Sequence, residues 1–470
     1  MFRVLIVLFA ASIIPQYECA FKRTKVLILG SGVSGITAAK TLLDSGVNDF
    51  LILDAQDYIG GRFKQVDFQG FKLEEGANWI HHVDENDPLW KLKMKYKLRG
   101  KYTNYEDTII RNEKGESIPY QEIQDRFDRA LNGAMDLEKQ RQKDSRIDIP
   151  MRIGLNIKGW NPQKPSEKVV EYREVDFEYT EKPEMDSLSQ IETRGTDFFV
   201  VDPRGYGHIW KETAKPFQDK IKLNTVVTKI MYHDNGVRVE TKDGNTYVAS
   251  FAICTFSTSV LKSNLVQFSP ALPSWKIEAL HKVPMGVYTK IFIKFPRKFW
   301  DSHEFILYAH RHRGYYPVWM DLEMPGIAPG SGLLHVTVTS EVGRRVERQS
   351  EKETLSEIMT ELRKVYGPNI PQAQGIFYSK WSLNPYTQGS YPNAVPGTTS
   401  NEFHNLQGNL KRLYFAGDAV DETWVGFVQG AYVSGARTAR AVLKCIKRDC
   451  PHFYPKKTVV QSVFVNQKRF

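Results

Sequence analysis

The clearest chemical signal in the sequence is a glycine-rich turn close to the N-terminus. Gly30, Gly32 and Gly35 form the pattern Gly-x-Gly-x-x-Gly directly after the apolar run 26–29, and Asp54 ends the next apolar run. A strand, a glycine turn, a helix, a second strand and then an acid form the dinucleotide-binding fingerprint. The spacing predicts a pyrophosphate at the N-terminus of the helix and ribose hydroxyls hydrogen-bonded to the acid.

A second candidate for chemistry is a lysine inside a predicted strand. Residues 285–296 read MGVYTKIFIKFP and alternate at period two, which places Lys290 and Lys294 on one face with Tyr288 and Phe292. A lysine between aromatic rings is either a surface residue with its stem on those rings or an amine held inside a site. Periodicity alone leaves both possibilities open for Lys290.

The elements that must position these groups are visible in outline. Residues 223–255 alternate at period two and break at Asp-Asn-Gly and Asp-Gly-Asn turns, which predicts an antiparallel meander. Near the C-terminus, residues 413–416 form a strand pattern, Gly417 and Asp418 a turn, and 430–445 a helical pattern. The dinucleotide domain is therefore expected to draw on separated parts of the chain.

Size and charge limit the class of protein. A length of 470 residues exceeds the usual ~100–200 residues per domain and predicts at least two cores. With 41% hydrophobic residues, packed interiors are expected and disorder is not. The charge of +10 comes from 64 basic residues interspersed with 54 acidic ones, a mixture that indicates no nucleic-acid site but allows loose binding to polyanionic surfaces.

The two termini differ from the rest of the chain. Arg3 and the apolar run 4–14 have the length of a signal-peptide core and are too short to span a bilayer, so residues 1–20 are predicted to be a signal peptide of a secreted protein. Of the cysteines beyond it, Cys445 and Cys450 are near enough in sequence for a local bridge. Residues 451–470 form a polar, basic tail with no membrane anchor.

Several segments together resemble one protein family. They are IGGRF (59–63), GANWIHH (76–82), LNTVVTKI (223–230), YTKIFIKFPRKFW (288–300) and YFAGDAVDETWVGFVQGAYVSG (414–435). Nearly the whole mature chain is similar to the flavin-containing amine oxidases, and most of all to the secreted plant-type polyamine oxidases.

The resemblance implies an α/β plus α+β fold. A Rossmann-type, GR2-like FAD-binding domain is expected from residues 21–98, 199–270 and 400–450. A substrate-binding domain on a mixed or antiparallel sheet is expected from residues 99–198 and 271–399.

The resemblance also implies cofactor contacts beyond the glycine turn. Arg62, next to Gly61, would lie near the phosphates, and Val227 would give the adenine a backbone contact. The remaining contacts would come from Trp79, from Trp381 near the isoalloxazine, and from Gly417 and Asp418, which would close the flavin site. Trp381 is also compatible with a purely structural core position. Residues 381–397 contain no cysteine, unlike the covalently flavinylated relatives, so FAD is expected to be non-covalent.

Substrate contacts follow from the same resemblance. Glu178 maps onto a tunnel acid, Tyr288 and Tyr391 onto aromatic residues near the flavin, and Phe427 onto a position often held by tyrosine. His81 stands at a position where the plant enzymes hold an acid and the animal relatives hold a histidine. His82 competes with His81 for contact with the substrate nitrogen. Glu178 could instead be a surface acid, and His81 a loop histidine.

The resemblance implies an FAD-dependent oxidation. Polyamines such as spermine, spermidine or their acetylated forms would be oxidised at a secondary amine by O2, giving an aminoaldehyde, an amine and H2O2. Lys290 aligns with the lysine that holds a water against the flavin N5, and no metal is expected. Two alternatives are an L-amino-acid oxidase, which needs an arginine clamp that the sequence does not reveal, and a flavin-bearing scaffold protein, which needs an extra interaction domain.

Overall fold

The structure is a computed structural model that describes residues 21–448, 450 and 453–456. The predicted signal peptide and most of the basic tail lie outside the described residues. Within the described ranges, no helix combines the length and the apolar character that crossing a bilayer requires.

The strands of the described part are, in chain order, β1 (Phe21–Leu29), β2 (Phe50–Leu53), β3 (Gln65–Phe68), β4 (Phe71–Glu74), β5 (Trp79–Ile80), β6 (Gly100–Tyr102), β7 (Thr108–Asn112), β8 (Ser117–Ile118), β9 (Phe198–Val200), β10 (Ile221–Lys222), β11 (Val227–His233), β12 (Gly236–Thr241), β13 (Thr246–Cys254), β14 (Gln267–Ser269), β15 (Tyr288–Lys294), β16 (Phe305–Ala309), β17 (Val318–Asp321), β18 (Leu333–Thr339), β19 (Gly375–Tyr378) and β20 (Leu413–Phe415).

The α-helices of the same part are α1 (Val33–Asp44), α2 (Pro88–Tyr96), α3 (Gln121–Lys143), α4 (Met151–Ile157), α5 (Pro165–Glu174), α6 (Asp176–Tyr179), α7 (His208–Ala214), α8 (Thr258–Lys262), α9 (Ser274–Lys282), α10 (Ser340–Arg348), α11 (Glu351–Tyr366), α12 (Ser400–Gln407) and α13 (Val428–Ile446). Short 3₁₀ turns lie at Leu188–Gln190, Lys215–Lys220 and Asp418–Val420.

The first large sheet carries the glycine turn. Its strand order is β10-β2-β1-β13-β12-β11-β14, with β20 also paired to β13. The strands from β10 to β13 are parallel, whereas β11, β12 and β13 form the predicted antiparallel meander. One face of this sheet packs against α1 and α13, and the other against the residues around α8, α9 and α12. This arrangement is a three-layer α/β domain of the Rossmann type.

The second large sheet carries Lys290. Its order is β19-β15-β18-β17-β16-β7-β8, and every pair except β16 with β7 is antiparallel. Residues of β15 alternate between two cores, with Phe292 facing the helical layer of α3 and α5 and Ile291 and Ile293 facing α10 and α11. The sheet is therefore mixed, and the predicted α/β plus α+β fold class is confirmed.

Smaller differences from the sequence prediction occur at element ends. Helix α13 begins at Val428 rather than 430, and α1 begins at Val33, immediately after the turn. A disulfide joins Cys445 to Cys450, and Cys254 is a free, buried thiol in β13.

Candidate active site

A cavity of about 700 Å³ runs from the glycine turn after β1 to β15, so that both large sheets contribute to its walls. Every predicted site residue except Gly35 and His82 lines it. The lining residues from the prediction are Gly30, Gly32, Asp54, Gly61, Arg62, Trp79, His81, Glu178, Val227, Tyr288, Lys290, Trp381, Tyr391, Gly417, Asp418 and Phe427.

The glycine turn has the geometry that a bound dinucleotide requires. Gly30 has φ +111°, and a Cβ on Gly35 would lie 2.0 Å from the carbonyl oxygen of Gly30. Helix α1 begins after Gly32 without a side-chain cap, and Val33 and Ser34 of its first turn line the cavity. Uncapped amides at a helix N-terminus favour a phosphate, so this end fits the pyrophosphate of FAD.

Asp54 is held rigidly at the end of β2. Its Oδ2 accepts hydrogen bonds from the Ser31 amide at 2.5 Å and the Ser31 hydroxyl at 2.7 Å, while Oδ1 accepts from the Gln56 amide at 2.8 Å. Burial raises the pKa of Asp54 despite these donors. Ser31, which the fingerprint leaves unspecified, thus fixes the orientation of a carboxyl that lines the cavity.

Arg62 joins two distant parts of the cofactor domain. Its guanidinium donates to both carboxylate oxygens of Asp418 at 2.7 Å and to the Ser390 carbonyl at 2.9 Å. A Cβ on Gly61 would lie 3.2 Å from the Gly32 Cα, so the GGR segment is packed directly on the glycine turn. Arg62 therefore joins the GGR segment to Asp418 in the cavity wall.

The two predicted cofactor tryptophans flank the segment that follows β4. The Trp381 indole donates to the Glu75 carbonyl at 3.2 Å, and the Trp79 indole donates to Thr103 Oγ1 at 3.0 Å. A Cβ on Gly76 would lie 1.7 Å from the Arg62 carbonyl oxygen, so only glycine allows this close packing. Both rings are buried except where they line the cavity.

Lys290 is an amine inside the site, not a surface lysine. Its side chain is buried, and its Nζ donates to the carbonyls of Glu74 at 3.2 Å and Gly76 at 2.5 Å and to Asn78 Oδ1. Burial lowers the pKa of Lys290, which makes the neutral amine more accessible than in a free lysine. Lys294, one repeat further along β15, is half-buried and donates to the Phe295 carbonyl, away from the cavity.

A buried acid lies behind Lys290. The Glu74 Oε1 accepts a hydrogen bond from the Tyr206 amide at 2.9 Å, whereas its Oε2 has no partner among the described residues. Burial raises the pKa of Glu74, and the nearby Lys290 charge opposes that rise. The protonation states of these two side chains therefore depend on each other.

The far end of the cavity is aromatic. Tyr288 lies between Phe177 and Tyr391, with ring centroids 5.3 Å and 5.8 Å away. The Tyr391 hydroxyl donates to the Glu178 carbonyl at 2.9 Å, which ties the short helix α6 to the segment after β19. Phe427 contributes another wall, so the cavity narrows between rings that offer cation–π contacts.

Glu178 places a carboxyl among these rings. Burial raises its pKa, while the charges of His81 and Arg194 act in the opposite direction. The Arg194 guanidinium lies 3.9 Å from Glu178 and 3.3 Å from Glu174, and it stacks on the Tyr105 ring at 4.2 Å. Arg194 is therefore paired mainly with Glu174, and the Glu178 carboxyl keeps room for a further cation.

The two histidines have different positions. His81 lines the cavity, and its Nδ1 lies 3.1 Å from Oδ2 of Asp197. His82 adopts φ +51° and does not line the cavity itself, but its ring packs on Phe427 at 5.6 Å and its Nε2 lies 3.6 Å from Glu192, and both of these neighbours do line it. Of the two competing residues, only His81 thus lines the cavity directly.

Several site residues escaped the sequence analysis. Asp197 holds His81 and Tyr105 donates to Asp197, Arg194 lies beside Glu178, and Ser31 and Glu74 are the neighbours of Asp54 and Lys290. These residues lie in loops or at strand ends without periodicity. A buried acid at a strand start, as in TDFFV, is the one sequence signal that could have indicated Asp197.

Comparison with known proteins identifies the family. Residues 33–167 and 175–443 match the family described as flavin containing amine oxidoreductase. Because the match covers most of the chain, the protein belongs to this family, which confirms the resemblance that the motifs indicated. The family and the dinucleotide geometry together make FAD its cofactor and an amine oxidation its enzymatic activity.

Individual relatives are more specific. The chain is 35% identical to polyamine oxidase 1 of Zea mays over 459 residues, covering 90% of this chain and 91% of that one. It is 34% identical to polyamine oxidase 6 of Oryza sativa subsp. japonica over 471 residues, covering 93% and 94%. A solved structure of putrescine oxidase bound to putrescine matches with a TM-score of 0.74 at 18% identity, covering 90% of this chain and all of that one, which supports the fold.

Proposed function

We propose that this protein is an FAD-dependent polyamine oxidase. It takes a polyamine such as spermine, spermidine or an acetylated form, oxidises the carbon beside a secondary amine, and uses O2 and water to give an aminoaldehyde, an amine and H2O2. One observation carries the proposal: the dinucleotide turn and a carboxyl among aromatic rings lie at opposite ends of one cavity. The names of the plant relatives support the same substrate class.

The chain's own residues would perform three tasks. The α1 amides, Asp54 and the Arg62–Asp418 pair would hold FAD, which supplies the hydride acceptor when bound. Glu178 would bind a distant ammonium group while the rings around Tyr288 exclude water. In its neutral form Lys290 has a lone pair on Nζ, which would accept a hydrogen bond from a water and exchange a proton with it, because a desolvated amine loses its proton nearer neutral pH than an exposed one.

An L-amino-acid oxidase is disfavoured by the cations around the cavity. Such an enzyme needs an arginine that binds the substrate carboxylate. Arg62 lines the cavity but is engaged by Asp418 and the Ser390 carbonyl, and Arg194 is paired with Glu174. Peroxide release with spermine and none with leucine would support the polyamine assignment, and the reverse result would overturn it.

Glu178 allows a sharper test with an internal control. Glu178→Gln removes a charge-assisted contact to the distant ammonium, so KM for spermine should rise on the order of 10-fold. A secondary alkylamine without a second nitrogen cannot make this contact, and its KM should hardly change. Equal effects on both substrates would mean that Glu178 shapes the cavity without binding an ammonium.

The attachment of the flavin and the location of the enzyme complete the proposal. Residues 381–397 carry no cysteine, so acid precipitation should release the flavin into the supernatant; colour that stays in the pellet would contradict non-covalent binding.

The apolar run 4–14 supports secretion. Full-length chain expressed in eukaryotic cells should appear in the medium without its first residues, and retention of the intact N-terminus inside the cell would oppose this.

A further inference from the structure

We propose that Asp197 is the positioning residue of the substrate site, which orients His81 so that its Nε2 accepts a proton from the substrate ammonium. The inference rests on the proposed function, because it needs an amine substrate. It adds a residue that neither the motifs nor the resemblance pointed to.

Asp197 has the contacts of an orienting carboxylate. It lies immediately before β9, is 2% exposed, and its Oδ2 is 3.1 Å from His81 Nδ1. The Tyr105 hydroxyl donates to the same oxygen at 2.7 Å, and the His82 amide donates to Oδ1 at 3.1 Å. The carboxyl is therefore surrounded by donors on both oxygens and cannot rotate without losing them.

These contacts decide which imidazole nitrogen carries the proton. The neighbouring His81 and the hydrogen bonds lower the pKa of Asp197 to about 2, against the opposing effect of burial. An ionised carboxylate can only accept hydrogen bonds, so the proton between the two groups must sit on Nδ1 of His81. Neutral His81 consequently has its lone pair on Nε2.

The free nitrogen is available to a substrate. His81 lines the cavity, and among residues 21–448 no group hydrogen-bonds to its Nε2. Gln429 donates to the His81 carbonyl at 2.9 Å, and the Phe427 ring packs edge-on against the imidazole at 5.3 Å. Backbone and ring are thus both fixed, as a directed proton acceptor requires.

The charges around His81 favour proton uptake. Burial and the Arg194 charge lower the pKa of His81. Asp197, with a smaller contribution from Glu178, raises this pKa by more than they lower it. Two further titratable groups lie close by: His82, which faces Glu192, and Tyr105, which donates to Asp197. The net rise in pKa makes His81 a stronger base than a free histidine.

The proton transfer balances without a further reactant. An N–H bond of the substrate ammonium breaks, its electron pair stays on nitrogen, and the proton bonds to Nε2. The resulting imidazolium keeps its Nδ1–H on Asp197, which compensates the positive charge. The substrate is left as a neutral amine, the form from which a hydride can be removed. An aspartate orients a histidine in the same way in serine hydrolases.

The first measurement needs no substrate. In holoenzyme with ¹⁵N-labelled histidine, His81 is assigned by its loss in His81→Gln, and its NMR signals are followed against pH. We expect the Nδ1–H tautomer in the parent and a midpoint above that of a free histidine. In Asp197→Asn the midpoint should move to lower pH, because the charge that stabilises the imidazolium is gone. An unchanged midpoint would overturn the proposal.

The second measurement uses spermine turnover. Asp197→Asn should lower the plateau of kcat/KM on the order of 10-fold, since part of the general-base contribution is lost, and should shift the acid limb to lower pH. In the His81→Gln background the same substitution should cause no further loss. Additive losses would show that Asp197 acts independently of His81 and would contradict the inference.

Two further variants keep the test decisive. Asp202→Asn is the matched control, because Asp202 is another buried acid and lies just beyond the other end of β9. It binds the Arg99 amide and Arg204 outside the cavity. Its substitution should change neither the His81 midpoint nor kcat/KM. If Asp197→Asn does not fold, Tyr105→Phe replaces it: losing this donor makes Asp197 more basic, so the His81 midpoint should rise, and a fall would refute the assignment. Absence of spermine turnover in the parent would defeat the proposed function alone, because the titration does not depend on it.

Discussion

Two buried lysines in this molecule have nearly the same surroundings and, we infer, different purposes. Lys276 in α9 is 1% exposed and donates to the carbonyls of Asn405, Leu406 and Gly408 at 2.7–2.8 Å, with the Phe415 ring 4.0 Å away. Lys290 is also buried, also has three oxygen acceptors, and lies 5.7 Å from the Trp79 ring. Burial lowers the pKa of both.

The difference lies in what surrounds the hydrogen bonds. Lys276 closes the C-terminal end of α12, where its ammonium supplies donors to the last carbonyls, and it lies outside the cavity. Lys290 lines the cavity and has Glu74 as a charged neighbour. A lowered pKa therefore does not identify a functional lysine, and access to the cavity decides between the two.

The largest expected effect is on turnover in Lys290→Met. Methionine keeps most of the stem volume but removes the donor, so we expect bound FAD and a fall in turnover on the order of 10²-fold or more. Stopped-flow reduction and reoxidation measure this effect. Rates equal to those of the parent in both half-reactions would reduce Lys290 to a packing residue like Lys276.

Glu74→Gln should produce a smaller change of a different kind. The Glu74 charge raises the pKa of Lys290, so its removal should move the pH midpoint of the lysine-dependent step to lower pH. The pH profile of flavin reoxidation measures this midpoint. An unchanged midpoint would mean that Glu74 is uncharged in the resting enzyme and does not control the protonation of Lys290.

Lys276→Met should affect stability and leave turnover at 25 °C unchanged. Three carbonyls lose their donor, and the thermal midpoint should fall by roughly 3 °C or more, as expected for a few kcal/mol in a large chain. Differential scanning fluorimetry of the holoenzyme measures the shift. A loss of turnover in folded Lys276→Met would end the contrast between the two lysines.

The pH dependence of that stability difference sharpens the contrast. The pKa of Lys276 is lowered from 10.5 in the folded chain. Between the folded and the unfolded pKa the unfolded chain binds more protons, so the parent becomes more stable as the pH rises towards 10.5. The deficit of Lys276→Met should therefore grow between pH 7 and pH 9. A constant deficit would show that the three carbonyls keep the ammonium charged.

Lys294→Met is the matched control with the smallest effect. It lies on the same strand and face as Lys290 but donates to the Phe295 carbonyl outside the cavity. Turnover and FAD content should match the parent within about 2-fold, since surface substitutions away from a site are usually close to neutral. A large loss would mean that the strand, not the amine at Lys290, is sensitive to substitution.

The cofactor end of the cavity was predictable because backbone conformation determines it. Gly30 and Gly35 are required by a positive φ and by a close approach, and such constraints leave a fixed spacing in the sequence. The strand of Lys290 was equally visible from its alternation. Whether that lysine is inside or outside a site was not, because both faces of β15 are buried by helical layers.

The substrate end could be predicted only in part. Resemblance placed His81 and Glu178, but their partners Asp197, Tyr105 and Arg194 come from loops whose contacts form only in the folded chain. Side-chain networks of this kind have no period and no fixed spacing, so one sequence does not reveal them. The position of His82 also needed the structure, since its ring packs on Phe427 without lining the cavity itself.

The order of strands in the first sheet has a consequence for how the chain is made. Strand β1 lies between β2 and β13, and β13 in turn pairs with β20, near the end of the chain. During synthesis β1 must wait on the order of 10 s or more for its second neighbour, at typical rates of translation. Throughout that interval its edge is unprotected, so a chaperone meets an extended N-terminal segment, and a ribosome that stops before residue 413 releases a sheet without its last strand.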